Sequence, residues 1–120
     1  MVTVYGIRNC NTVKKALSFL DSNCIEYTFH DFKKSGIGKQ KLRAWARQTG
    51  YENLINRKGT TWRLLDDATK SSVSDQQKVL VLLSKKTSLI KRPLVEKEGK
   101  IIALGFDEKE YEKAFVMQDS

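Results

Sequence analysis

Apolar residues recur along this chain either at every second position, as in a strand, or three to four residues apart, as in a helix. The places where one spacing gives way to the other predict the secondary structure. Val2–Tyr5 is a short apolar run typical of a strand. Apolar positions three to four residues apart then predict an amphipathic helix that begins just after Cys10, with Asn11 or Thr12 as its cap. Asn23 is expected to end this helix in the left-handed conformation. The alternation that follows from residue 25 to residue 30 predicts a second strand.

The middle of the chain has the pattern of helices. Lys33–Gly38 is predicted to be a loop, and Lys39–Thr49 a helix that buries Leu42, Trp45 and Ala46 before Gly50 ends it. Ser74-Asp-Gln-Gln77 fits a capping box. It predicts another helix, with Val79, Leu80, Leu82 and Leu83 as its candidate core positions.

The last part of the chain returns to strands. Leu94–Glu96 and Ile101–Leu104 flank a turn at Gly99, and an acidic start at Asp107 predicts a final helix with a frayed tail from about Met117. The order βαβ, helices, ββα predicts an α/β protein with a small mixed four-stranded sheet, helices on both faces and a helical insertion in the middle. This layout is that of a thioredoxin-like fold, and residues 1–120 are expected to form one domain.

Composition narrows the kinds of partner. The 120 residues carry 22 Lys and Arg against 14 Asp and Glu, a net charge of +8, which favours anionic partners. The basic residues are scattered along the chain, so nucleic acid is not the expected partner. Of the two tryptophans that could stack on bases, Trp45 is predicted to lie in the core, and the role of Trp62 is left undecided. No apolar run is long enough for a membrane span or a secretory leader, so we expect a soluble cytoplasmic protein, plausible as a monomer. Two cysteines and one histidine predict neither a disulfide framework nor a bound metal.

Cys10 is the candidate nucleophile. The start of a helix gathers N–H groups and the positive end of the helix dipole, which lower the pKa of a thiol there, and Arg8 is expected to lower it further. Asn11 and Thr12 are expected to supply the N–H groups that stabilise the sulfur anion. Cys24, between a helix and an apolar strand, is predicted to be a core residue. A structural role is expected for His30.

Three motifs together carry a resemblance to a known family. They are Tyr5-Gly-Ile-Arg-Asn-Cys-Asn-Thr-Val-Lys-Lys-Ala, Asn56-Arg-Lys-Gly-Thr-Thr-Trp-Arg, and Lys91-Arg-Pro-Leu-Val followed by Leu104-Gly-Phe-Asp. In this order and spacing they resemble the arsenate reductase-like (ArsC) family of thioredoxin-fold proteins, nearest to its YffB branch and akin to the Spx regulators.

The resemblance implies a role for particular residues. The family's nucleophile falls on Cys10, and its first two anion-binding arginines fall on Arg57 and Arg92. Pro93 matches the proline that takes a cis peptide bond facing the cysteine in this fold. The third arginine of the arsenate reductases falls on Phe106, which argues against arsenate as the substrate.

The resemblance and the cysteine count together predict a single-cysteine thiol oxidoreductase. Val13 occupies the position of the second cysteine in the Cys-x-x-Cys pair of Spx regulators. The helix between Cys10 and Cys24 rises about 1.5 Å per residue, so it separates the two thiols by close to 18 Å, too far for a disulfide. An external thiol must then resolve Cys10, and anionic glutathione is the expected co-substrate, with no bound cofactor. Two alternatives stay open: an arsenate reductase linked to glutathione and glutaredoxin, and an Spx-like regulator that binds a partner such as RNA polymerase.

Overall fold

The structure, a computed structural model, describes residues 2–116. The chain divides into two compact units. The sheet unit comprises Met1–Phe32 and Arg92–Ser120, of which 2–32 and 92–116 are described, and the helical unit comprises Lys33–Lys91. The helical unit follows the second strand and precedes the third, which confirms the predicted helical insertion. The assignment of residues 1–120 to one domain stays a prediction.

The sheet unit contains four strands: β1 (Val2–Gly6), β2 (Tyr27–Asp31), β3 (Leu94–Lys97) and β4 (Lys100–Leu104). Their order is β2-β1-β3-β4, with β1 parallel to β2 and the other two pairs antiparallel. The predicted mixed four-stranded sheet is therefore confirmed. Glu98 and Gly99 join β3 to β4 with φ angles of 53° and 82°, and two successive positive φ angles are typical of a tight hairpin turn.

Seven α-helices are assigned within residues 2–116: α1 (Asn11–Ser22), α2 (Phe32–Ser35), α3 (Lys39–Thr49), α4 (Thr60–Arg63), α5 (Asp67–Ser71), α6 (Gln76–Lys85) and α7 (Glu108–Tyr111). Short 3₁₀ turns cover Tyr51–Leu54, Ser72–Ser74 and Thr87–Leu89, and a π-helical turn, Glu112–Val116, continues α7. None of these helices has the length and apolar character needed to cross a membrane.

The core of the sheet unit forms where α1 packs on the sheet. Val4 of β1 pairs with Val95 of β3, and both are fully buried with Ala16 and Leu20 of α1. Alternation along the strands and helical spacing in α1 bring these apolar side chains to one face. Gly6 is needed at the end of β1 because a methyl group there would lie 2.9 Å from a Val13 methyl. This close approach fixes the start of α1 relative to the sheet.

The helical unit confirms the predicted inward faces. Its α3 buries Leu42, Trp45 and Ala46. Of the four candidate positions in α6, Val79, Leu80 and Leu83 are buried and Leu82 is half-buried. Gly50, with a φ of 87°, ends α3 where the sequence predicts. Trp45 is fully buried, as expected of a core residue.

Predictions for the two ends of α1 are wrong by one residue each. Cys10, not Asn11 or Thr12, is the N-cap residue of this helix. At its other end Asn23 has a φ of −101°, and the left-handed residue is Cys24, with a φ of 57°. The cause is local, because the Asn23 N–H still donates to the Phe19 carbonyl and extends the helical bonding by one residue.

Two further elements differ from prediction. The segment Lys33–Gly38 is not wholly a loop, since α2 continues to Ser35. Asp75, not Ser74, caps α6, and its carboxylate accepts from the N–H groups of Gln77 and Lys78. The predicted last helix begins after an Asp107 cap, whereas its predicted frayed tail lies outside the described residues.

A buried hydrogen bond joins β1 to β3. The Tyr5 hydroxyl donates to Glu96 Oε1 at 3.0 Å, and Glu96 is only 5% exposed. Burial, together with this bond and the glutamate charge, raises the pKa of Tyr5 to about 12. The phenol therefore stays protonated and keeps donating throughout the neutral range.

Tyr5→Phe is expected to lower the free energy of unfolding by about 1–3 kcal/mol, because it removes a donor from a buried carboxylate. Urea denaturation measures this difference. Tyr51→Phe is the matched control, since the Tyr51 hydroxyl donates to the Ser74 carbonyl at an exposed position and its loss should cost less than about 0.5 kcal/mol. Equal losses in the two variants would show that burial adds nothing to the Tyr5 bond.

Candidate active site

Cys10 occupies the N-cap position of α1, at the end of the loop that leaves β1. Its backbone is extended, with φ −133° and ψ 122°, and its thiol is free and half-buried. An N-cap side chain lies beside the N–H groups of the second and third helical residues, here Thr12 and Val13. The fold therefore presents the sulfur to the positive end of a twelve-residue helix.

The surroundings of Cys10 favour its thiolate. Burial opposes ionisation, but the Val13 N–H, the Arg92 guanidinium and the Thr12 N–H together outweigh it, so the pKa of Cys10 falls below its ordinary value. The two helix N–H groups that act on the thiol come from Thr12 and Val13, whereas the sequence predicts Asn11 and Thr12 for this role. The position of Val13, third after the cap, is the signal that would have identified it.

The pairing of β3 with β1 brings Arg92 close to Cys10. Arg92 lies two residues before the start of β3, and β3 pairs with β1, whose end leads into the cysteine loop. The Arg92–Pro93 peptide bond is cis, as the family resemblance implies. The Pro93 carbonyl accepts from the Gly105 N–H at 2.8 Å, which ties this turn to the end of β4.

Arg8, which the sequence predicts to lower the pKa of Cys10, is not among the groups that do so. Its guanidinium lies 4.8 Å from the centre of the Phe29 ring and 4.0 Å from Asp31 Oδ2, so it is directed to β2. The pKa of the Cys10 thiol is lowered instead by Arg92 and by the N–H groups at the start of α1. Proximity along the chain is thus a poor guide here, since alternate side chains leave a strand and its loop in different directions.

Phe106 is held close to the Arg92–Pro93 turn. It follows Gly105, whose carbonyl accepts from the Tyr111 hydroxyl at 2.7 Å. The Phe106 ring packs edge-on against Tyr111, with 4.8 Å between ring centres, and lies 6.2 Å from the ring of Phe19. The position that the family resemblance matches to a third arginine is therefore part of an aromatic cluster in this chain.

Arg57 lies in the helical unit, on a short loop before α4. The Asn56 N–H donates to the Leu89 carbonyl at 2.7 Å, and Asn56 Oδ1 accepts from the Lys58 N–H, so the loop is pinned on both sides of Arg57. The exposed Arg57 guanidinium lies 5.3 Å from the centre of the half-buried Trp62 ring. This contact orients the arginine, and its role in anion binding stays a prediction.

The prediction that Cys24 belongs to the core is wrong. Cys24 is exposed and sits in the turn after α1, because β2 begins at Tyr27 and not at residue 25. Both cysteines are free thiols. His30 contacts the rings of Tyr5 and Phe32, in keeping with the structural role expected for it. Across residues 2–116, no three His, Cys, Asp or Glu side chains are grouped so as to hold a metal ion.

The pH dependence of alkylation tests the lowered pKa of Cys10. In a Cys24→Ala protein, the rate of reaction with iodoacetamide should rise with pH through a midpoint below that of a reference cysteine peptide. At pH 7 a larger thiolate fraction then makes Cys10 react faster than a reference cysteine peptide. A midpoint at or above that of the peptide would contradict the described surroundings.

The fold and the site define a class of protein. A thioredoxin-like α/β unit presents a cysteine at the start of its first helix, beside an arginine and a cis-proline. Residues 5–114 match the ArsC family, and the chain belongs to that family.

Known relatives support this assignment. A protein of Haemophilus influenzae, described as uncharacterized, is 44% identical over 96% of this chain and 99% of its own length. The solved structure of the YffB protein superposes with a TM-score of 0.88 at 39% identity, covering 95% of this chain and 98% of that chain. The global transcriptional regulator Spx of Streptococcus mutans is 29% identical over 99% of this chain and 85% of its own length. The predicted nearness to YffB and the kinship with Spx are thus confirmed.

Proposed function

We propose that this protein is a glutathione-dependent thiol oxidoreductase that uses Cys10 alone. The observation that carries the proposal is the position of the free Cys10 thiol at the N-cap of α1, where the Val13 N–H, Arg92 and the Thr12 N–H lower its pKa against the effect of burial. A thiolate at neutral pH is the nucleophile that thiol–disulfide exchange requires. Membership of the ArsC family fits the same chemistry.

The reaction has two exchange steps. The Cys10 thiolate attacks the glutathionyl sulfur of a mixed disulfide, forms a Cys10–glutathione disulfide and releases the other thiol, which takes a proton from solvent. A second glutathione thiolate then attacks the glutathionyl sulfur on Cys10. This step releases oxidised glutathione and restores the Cys10 thiolate. The disulfide bond of the mixed disulfide is thus replaced by that of oxidised glutathione, and one glutathione is consumed for each substrate thiol released.

An external thiol is needed because the chain offers no resolving cysteine near Cys10. Val13 occupies the position three residues on, and Cys24 is separated from Cys10 by the whole of α1, about 18 Å at about 1.5 Å per residue. That separation far exceeds the roughly 7 Å within which two Cα atoms can be bridged. Glutathione, or another small anionic thiol, is the proposed second substrate.

The arginines are proposed to bind the charged groups of glutathione. Arg92 acts on the sulfur anion of Cys10 and can hold a carboxylate with its planar fork. Arg57 is proposed to bind a second carboxylate, on the family resemblance. The net charge of +8 favours the approach of an anionic thiol.

A turnover assay tests the proposal. Reduction of glutathionylated β-mercaptoethanol is followed with glutathione, NADPH and glutathione reductase, which reports each oxidised glutathione released. We expect turnover that depends on both protein and glutathione. The same assay with arsenate and glutaredoxin is expected to give no turnover, because Phe106 replaces the third arginine. Turnover of arsenate alone would overturn the choice of substrate.

A regulatory function is the second candidate, and the Spx relative is the observation that favours it. Val13 excludes a Cys-x-x-Cys disulfide switch, so this function would rest on binding a partner such as RNA polymerase. Absence of turnover in the assay above, together with retention on immobilised RNA polymerase, would favour the regulator. Turnover without retention would favour the enzyme.

A further inference from the structure

A groove of about 1000 Å³ runs along the exposed face of α1 in the sheet unit. Its lining includes Asn11 at one end of the helix and Asn23 just beyond the other, with Ser18 exposed midway. Phe106 and Glu112 line it from the segment that follows β4. The proposed mechanism does not use this groove.

The lining of the groove combines apolar and charged surface. Phe19 and Phe106 contribute aromatic rings. Lys14 and Lys15 lie on the α1 side, and Glu108 and Glu112 on the side of α7 and the turn that continues it. A ligand that complements this groove therefore has apolar groups together with charges of both signs.

One end of the groove is lined by the residue that follows the nucleophile. Asn11, which lines it, is the residue directly after Cys10 and the first residue of α1. A helix of twelve residues is about 18 Å long at about 1.5 Å per residue, so the groove, which is lined from Asn11 to Asn23, extends along about that length from the residue next to Cys10. An extended polypeptide advances about 3.3 Å per residue, and five or so residues would fill it.

We propose that this groove binds the polypeptide half of a mixed disulfide between a protein cysteine and glutathione. The inference rests on the proposed function and names its substrate class. Glutathione is too short to fill the groove alone, whereas a polypeptide supplies apolar side chains and both charges along one extended segment. Cys10 attacks the glutathionyl sulfur and the disulfide to the polypeptide cysteine breaks. The polypeptide thiolate leaves along the groove and takes a proton from solvent.

Ser18→Trp tests the proposal because it fills the middle of the groove from an exposed position and removes no core side chain. The substrates are a peptide with a central glutathionylated cysteine, flanked by leucine, glutamate and lysine, and glutathionylated β-mercaptoethanol. We expect KM for the peptide to rise about tenfold more than KM for the small disulfide, because the tryptophan blocks contacts that only the peptide makes in the groove. Ser71→Trp, at an exposed position at the end of α5, is the matched control and should raise neither KM.

The outcomes separate the two proposals. If the small disulfide is turned over and the ratio of KM for the peptide to KM for the small disulfide is the same in wild type and Ser18→Trp, the groove does not bind the polypeptide. The proposed function then still stands. No turnover of either substrate by the wild-type protein overturns the proposed function and the groove with it. A lower KM for the peptide than for the small disulfide, lost only in Ser18→Trp, supports both. The alkylation rate of Cys10 in each variant verifies that the site is intact.

Discussion

Cys10→Ser is expected to abolish glutathione-dependent turnover, with a loss of at least about 10⁴-fold in kcat/KM, as when other covalent nucleophiles are removed. A serine hydroxyl does not ionise near pH 7, so no nucleophile remains at the start of α1. Serine is a preferred N-cap residue, and the helix should therefore form at least as well as in the wild type. The loss is thus expected in kcat, without a loss of stability.

Cys24→Ser is the matched control. Cys24 is exposed, lies at the opposite end of α1 and has no role in the proposed exchange. Its substitution should leave kcat/KM within about twofold of wild type, since surface changes away from a site have small effects. Residual turnover in Cys10→Ser that disappears in the double variant would assign the chemistry to Cys24 and contradict the single-cysteine mechanism.

Arg92→Ala is expected to lower kcat/KM by about 100-fold, because it removes both a charge that favours the Cys10 thiolate and a binding group for the substrate carboxylate. The pKa of Cys10 should rise, and the pH profile of alkylation should move upward with it. Steady-state kinetics and the alkylation profile measure the two effects separately.

Arg92→Lys separates the two roles of Arg92. Lysine keeps the positive charge, so the alkylation profile should stay near that of wild type, whereas loss of the planar fork should raise KM. Arg47→Ala, an exposed arginine near the end of α3, is the control and should change neither quantity. An unchanged alkylation profile in Arg92→Ala would show that the helix start alone lowers the pKa of Cys10.

Local patterns predict much of this fold. The apolar spacing of α1 and α3, the glycine that ends α3 and the hairpin around Gly99 agree with the structure, because each depends on residues close together in the sequence. Cys24 shows the limit of this reasoning. A single residue more of helix and a later start of β2 move it from the predicted core into an exposed turn.

The site shows the same limit more strongly. The position of Cys10 at a helix start follows from local sequence, whereas the arginine that acts on it comes from residue 92, brought by the pairing of β1 with β3. Arg8 is expected to lower the pKa of Cys10 because it is close in sequence, but it contacts Phe29 and Asp31 instead. Only the family resemblance pointed to Arg92, because strand pairing over such a separation has no local signal.

The mass of the intact Cys24→Ala protein after incubation with oxidised glutathione tests the central claim most directly. A single-cysteine mechanism predicts one glutathionyl group on Cys10, located by peptide mapping. Added glutathione should then remove it, with release of oxidised glutathione. A protein that stays unmodified under conditions in which a reference cysteine peptide is glutathionylated would contradict the mechanism.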